Sequence, residues 1–245
     1  MVKRIFLTLL MLLILVYLAL AVSVLNDKPK AMVCSGLKLD IKDSIYAGFI
    51  KQKEVSQLLK KHGLDPVGKR MDEINTQHIE DQLASHPLID GVECYTTPSG
   101  LLRIEVSQRI PLLRVMDVGG NNYFVDTKGR KMASGAQCVA RLPIATGHVS
   151  QQMACRELYQ FADFLMNDDF WNAQIEQIHV LKGGDVELVP RVGNHLIYMG
   201  QLKGYERKLA RLKGFYRKGL NKVGWNKYSR ISVEFSNQII CTRRE

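Results

Sequence analysis

Six histidines, His62, His78, His86, His148, His179 and His195, are the side chains best suited to move a proton or hold a metal near neutral pH, and they are scattered along the chain. No HExxH pair and no Cys/His cluster at ligand spacing joins any of them. GxSxG, a P-loop and a GxGxxG after a strand are also missing, so acyl-transfer and nucleotide chemistry lack their usual sequence supports. Asp163, Asp168 and Asp169 fall beside an expected helix end, where solvation accounts for them more simply than catalysis. Five cysteines, Cys34, Cys94, Cys138, Cys155 and Cys241, cannot all pair within one chain and contain no CxxC, which reads as small hydrophobes rather than a disulfide framework. The side chains therefore predict no catalytic site, no metal and no cofactor.

What remains is the chemistry of the main chain. Ile231, Val233 and Phe235 alternate with Ser232 and Glu234, predicting a strand that runs to Ser236, with a second short strand from Ile239 to Thr242. A strand at a sheet edge presents unpaired N–H and C=O groups, and an incoming strand that pairs with them gains affinity from the backbone and selectivity from alternate side chains. The candidate docking residues are Ile231, Val233, Glu234, Phe235, Ser236, Ile239, Ile240 and Thr242. The alternative is a strand that only completes the domain's own sheet.

The elements that must carry this edge begin with Ile5 to Leu25, interrupted only by Thr8, Tyr17 and Ser23. At 1.5 Å per residue such a run reaches about 30 Å, enough to cross a bilayer once. Lys3 and Arg4 precede it, so residues 1–4 should stay in the cytoplasm while the rest crosses, the topology of a single-pass inner-membrane protein. Ala19-Leu20-Ala21 has the small-x-small form of a signal-peptide cleavage site, but the apolar run is longer than such a core usually is. The expected division is a transmembrane helix over 5–25, a stalk over 26–36, a first domain over 37–111 and a second over 112–245.

In the first domain Leu37, Leu39 and Ile41 alternate as a strand, and Val55, Leu58, Leu59 and His62 share a helix face that Gly63 can end. Asn75 can cap a second helix, with Ile74 and Ile79 at the staple positions, and His86-Pro87 stops it. Val92 and Cys94, a Thr97-Pro98-Ser99-Gly100 turn, and then Leu102, Ile104 and Val106 make a hairpin. This β-α-α-β-β order, with HPLIDGVECY entering the hairpin and LLRIEVSQRIP leaving it, resembles the POTRA domain of the FtsQ/DivIB family of bacterial cell-division proteins. Arg109-Ile110-Pro111 stands where that family's exit strand ends in a charged residue and proline.

Tyr123-Phe124-Val125-Asp126 followed by Thr127-Lys128-Gly129, and then Leu142-Pro143-Ile144-Ala145-Thr146-Gly147, are similar to the opening of the family's β domain. Ala154, Leu158, Phe161 and Leu165 predict a helix over 151–166, and Tyr205, Leu209, Leu212 and Tyr216 a second. Between them Val186 and Leu188 lead through a Gly193-Asn194 hairpin turn to Leu196 and Met199. The fold class is thus α+β: a single transmembrane helix, a POTRA-like domain, and a mixed antiparallel β domain with two helices.

The resemblance implies a non-enzymatic divisome scaffold concentrated at the septum, linking early and late division proteins. It implies that FtsB adds a strand to the C-terminal edge, that FtsL is joined to FtsB by a coiled coil, and that the POTRA domain meets other divisome proteins during recruitment. Glu234 and Phe235 fall where the family has a basic and an aromatic contact, so Glu234 reverses the sign. The net charge is +10, and from Lys203 to Glu245 twelve Lys/Arg stand against three Asp/Glu. Such a patch fits membrane lipid, an anionic wall polymer or an acidic protein better than nucleic acid, or is a solvated helix face. A POTRA protein handling polypeptides in secretion or envelope assembly is the other functional class in view, though no POTRA repeat or barrel-length alternation accompanies it.

Overall fold

The computed structural model describes residues 10–18, 20, 32–42, 50–133 and 142–245. Residues 10–18 and 20 are helical and solvent-exposed. No described helix is long and apolar enough to cross a membrane. Residues 1–9, 19 and 21–31, including Lys3 and Arg4 and much of the expected span, lie outside the described residues.

The first unit runs β1 (Gly36–Lys42), α1 (Gln52–Lys61), a 3-10 turn (Met71–Glu73), α2 (Thr76–Ala84), β2 (Ile89–Thr96) and β3 (Leu101–Gln108). Val55 and Leu59, one turn apart, carry the buried face of α1. The helix ends because Gly63 adopts φ of 68°, which lets its N–H reach Lys60 O at 3.1 Å and Leu64 N–H reach Leu59 O at 2.9 Å. Asn75 Oδ1 accepts the His78 N–H at 3.0 Å and caps α2, while Ile74 and Ile79 pack into the same core.

The sheet order is β1-β3-β2, with β3 antiparallel to β2 and parallel to β1. Every second residue of β3 is buried, placing Leu102, Ile104 and Val106 under Val55, Leu59, Ile79 and Leu83. The folded unit starts earlier than the stalk boundary drawn from sequence. Cys34 N–H donates to Lys69 O at 2.8 Å and Ser35 N–H to Gly100 O at 2.8 Å, and Val33 bridges Arg70, so residues 33–35 belong to this unit.

The second unit contains β4 (Pro111–Asp117), β5 (Asn122–Asp126), β6 (Lys131–Ala133), β7 (Ile144–Gly147), α3 (residues 151–166), α4 (Asp169–Gln174), β8 (Ile175–Val180), β9 (Val186–Pro190), β10 (Leu196–Gly200), α5 (residues 205–223), β11 (Tyr228–Ser232) and β12 (Ile240–Arg243). Its nine strands lie in the order β12-β11-β10-β9-β8-β7-β4-β5-β6. The sheet is mixed: β4/β7, β7/β8 and β10/β11 are parallel and the other pairs antiparallel. One continuous core joins Leu113, Val115, Ile178, Leu188, Ile197 and Ile231 of the sheet to Leu158, Phe161, Trp171, Leu209, Leu212 and Tyr216 of the helices.

Three expectations change here. The helical layer has a third member, α4, capped by Asp168, whose carboxylate accepts the N–H groups of Phe170 and Trp171. The link from β9 to β10 is five residues, 191–195, rather than the two-residue turn at Gly193-Asn194, because His195 turns inward and is buried. Finally, α3 and α5 each contain a π-helical stretch, Ala154–Leu158 and Tyr216–Leu220. In α5 that stretch needs Gly219, where an added Cβ would stand 2.7 Å from the Phe215 ring.

Candidate partner-docking edge

Strand β12 is the last of the nine, so one flank pairs with β11 and, among the described residues, no strand lies on the other. It is four residues long, with Ile240, Thr242 and Arg243 exposed. Ile239 and Cys241 pack against the core and hold it in place. Registers Arg230↔Thr242, Ile231↔Cys241 and Ser232↔Ile240 fix its alignment.

The eight residues expected to face a partner are divided by this geometry. The strand read as Ile231 to Ser236 is Tyr228–Ser232, and the second is Ile240–Arg243. Ile231 and Val233 are fully buried and belong to the core, so neither side chain can meet another protein without unfolding the edge. Glu234, Phe235 and Ser236 leave the sheet in the connection between β11 and β12, all exposed, with Phe235 46% accessible. Arg211 of α5 clamps that connection: Nη2 donates to Val233 O at 3.1 Å and Nη1 to Gln238 O at 3.4 Å.

Beside the connection runs a groove of about 700 Å³, whose lining includes Lys203, Arg207, Lys208, Arg211, Glu234 and Ser236. Lys208 is committed to the fold. Its ammonium donates to Met199 O at 2.8 Å and Gln201 O at 2.9 Å, and burial lowers its pKa. Lys203 and Arg207 have no such commitment among the described residues. The groove is therefore basic at its rim, with Glu234 the acidic exception. The basic helix is legible in the sequence but this groove is not: Arg207 and Arg211, four residues apart, share one face of α5, whereas Lys203 joins them from the bend before Gly204.

The histidines do not assemble. His195 is buried, its Nε2 2.6 Å from the Tyr216 hydroxyl, and its pKa is lowered chiefly by that burial. Trp225 and Tyr216 pack against it, a structural arrangement closing the base of α5. His179 Nδ1 lies 2.9 Å from the Thr146 hydroxyl on the opposite, polar side of the sheet. Among the described residues no group of three or more His, Cys, Asp or Glu could hold a metal. Cys34 and Cys94 are buried free thiols, Cys155 and Cys241 half-buried ones, and Cys138 lies outside the described residues.

A family model described as FtsQ/DivIB, C-terminal related, matches residues 110–242, more than half of the chain. The chain belongs to the FtsQ/DivIB family. A POTRA-like domain model matches residues 32–107. The cell division protein FtsQ of Rhodothermus marinus is 25% identical over 201 residues, which cover 78% of this chain and 73% of that protein. In this FtsQ/DivIB member the POTRA-like match holds the three-stranded sheet, and the C-terminal match spans the large sheet from β4 to β12. The terminal position of β12 is thus a feature of the unit that carries the family signature.

Proposed function

We propose that the chain serves bacterial cell division as a non-catalytic, membrane-anchored scaffold, and that it captures FtsB, with FtsL joined to it, by strand addition to β12. Family membership and the named relative support the division role. The observation that carries the mechanism is the outer flank of β12, which no strand pairs among the described residues and which backbone chemistry makes adhesive. Core burial of Ile231 and Val233 limits their contribution to holding the ladder, and leaves Glu234, Phe235, Ser236, Ile240 and Thr242 as the exposed side chains able to select a partner. The anchor supplies position: residues 5–25 fix the folded units at the inner membrane, and the POTRA-like unit serves recruitment of other divisome proteins.

Co-purification from solubilised membranes tests this. The wild-type chain should recover FtsB and FtsL, and Phe235→Glu should lose both while hydrogen-exchange protection across β9 and β10 is unchanged. Exchange at Ile240–Arg243 should slow when the complex forms. Indifference of those amides to a bound partner overturns strand addition even if the proteins associate, and full recovery with Phe235→Glu removes that ring from the interface.

A further inference from the structure

The two units meet at a charged seam on the β5–β6 side of the large sheet, the opposite end of the strand order from β12. Arg109, just beyond β3, makes four side-chain hydrogen bonds there. Its Nε donates to Asp126 Oδ2 at 2.8 Å, Nη1 to Pro87 O at 3.0 Å, and Nη2 to Arg130 O at 3.1 Å and Lys131 O at 3.0 Å. Pro87 belongs to the loop that enters β2, and the other acceptors to the β5–β6 hairpin. One guanidinium therefore ties the small unit to the large one.

A second tie runs the other way. Asp90 of β2 accepts from Lys128 Nζ at 2.7 Å and from Arg130 Nη2, and Arg130 Nε also donates to Asp126 Oδ2 at 2.9 Å. Asp126 is 1% exposed and accepts the N–H groups of Lys128 at 3.0 Å and Arg130 at 2.8 Å. The turn is itself seated on α3. Tyr159 donates to Thr127 O at 3.0 Å, and at Gly129, φ 72°, a Cβ would stand 3.1 Å from Cys155 O.

Domains joined by a short linker move relative to each other by default unless something substantial holds them. The Lys128 arm is 59% exposed and open to screening by salt, so it cannot do so alone. The Arg109–Asp126 pair is 11% and 1% exposed, and its planar fork reaches both units at once. We propose that Arg109 and Asp126 form an interdomain lock that holds the small sheet in one orientation on the large one. Surfaces on the two units are then presented at fixed spacing and direction, and a pull on one is delivered to the other.

Single-molecule energy transfer on the full chain, with dyes at the exposed positions Lys60 and Lys182, reads the lock directly. The wild type should give one narrow distance distribution that high salt does not widen. Arg109→Ala should widen it roughly twofold, with exchange protection in β3 and β9 intact. Should that variant fail to fold, Arg109→Lys keeps the charge and stem but cannot span Pro87, Arg130 and Lys131, and should widen it too. A wild-type distribution that is already broad, or a folded Arg109 variant as narrow as wild type, overturns the proposal.

Discussion

Asp126 shows how a single side chain can be half legible. Its place at the end of Tyr123-Phe-Val-Asp126, before Thr-Lys-Gly129, marks a turn, and the turn forms with Gly129 at φ 72°. Nothing local announces Arg109, 17 residues earlier, as its ion-pair partner, because that meeting depends on how two sheets are stacked. Burial alone would raise the Asp126 pKa. The Arg130 N–H, the guanidinium groups of Arg130 and Arg109, and the Lys128 N–H outweigh it, and hold the carboxyl below the usual carboxylate range. Since the folded value is depressed, its stabilisation is complete above the unfolded pKa of about 3.9 and is lost as pH falls through the folded value. Asp126→Asn should therefore cost about 2–3 kcal/mol at neutral pH, with Arg109 left without its carboxylate and Arg130 left with Asp90 alone. Urea midpoints should show the gap from wild type closing in acid below that range. A gap that stays constant with pH would mean the cost is one of shape, not charge.

At the scale of elements, a regular period is legible in the sequence and a period broken by a bulge is not. Strand β3 alternates strictly and is legible; β8 is not, because a register shift between Ile175 and Gln177 puts its buried residues at Ile175, Ile178 and Val180. Helix α4 has six residues, too few for a face to recur, although Asp168 two residues before Phe170 was a usable cap signal. The edge pair departs from its sequence pattern for a related reason: Ile231, Val233 and Phe235 share a spacing, but the ladder ends at Ser232 and only the first two reach the core. Helix α2 is the opposite case, with cap and staple both legible. Asn75→Ala should destabilise the chain by about 1 kcal/mol in denaturant melts, and the Ile74–Ile79 packing should keep the helix formed. A loss several times larger would mean that Asn75 also holds the loop before it.

Across the whole molecule the positive charge is gathered at one end of the sequence. Lys203 to Glu245 carries a balance of +9 out of a net +10, leaving the rest nearly neutral. That segment supplies both α5, with its basic groove rim, and β12, so the field is strongest beside the edge proposed to take a partner strand. A field of this kind acts mainly on encounter, and backbone pairing acts mainly on how long the complex lasts. The double variant Lys203→Glu with Arg207→Glu leaves β12 and its anchors Ile239 and Cys241 untouched, and neither lysine nor arginine is committed to an ion pair among the described residues. It should slow association of the partner about tenfold at low salt and much less once the screening length shrinks to about 3 Å in molar salt. The dissociation rate should hardly change. If dissociation quickens instead, the groove is part of the docked interface, and the added strand continues past Ile240 to lie against α5.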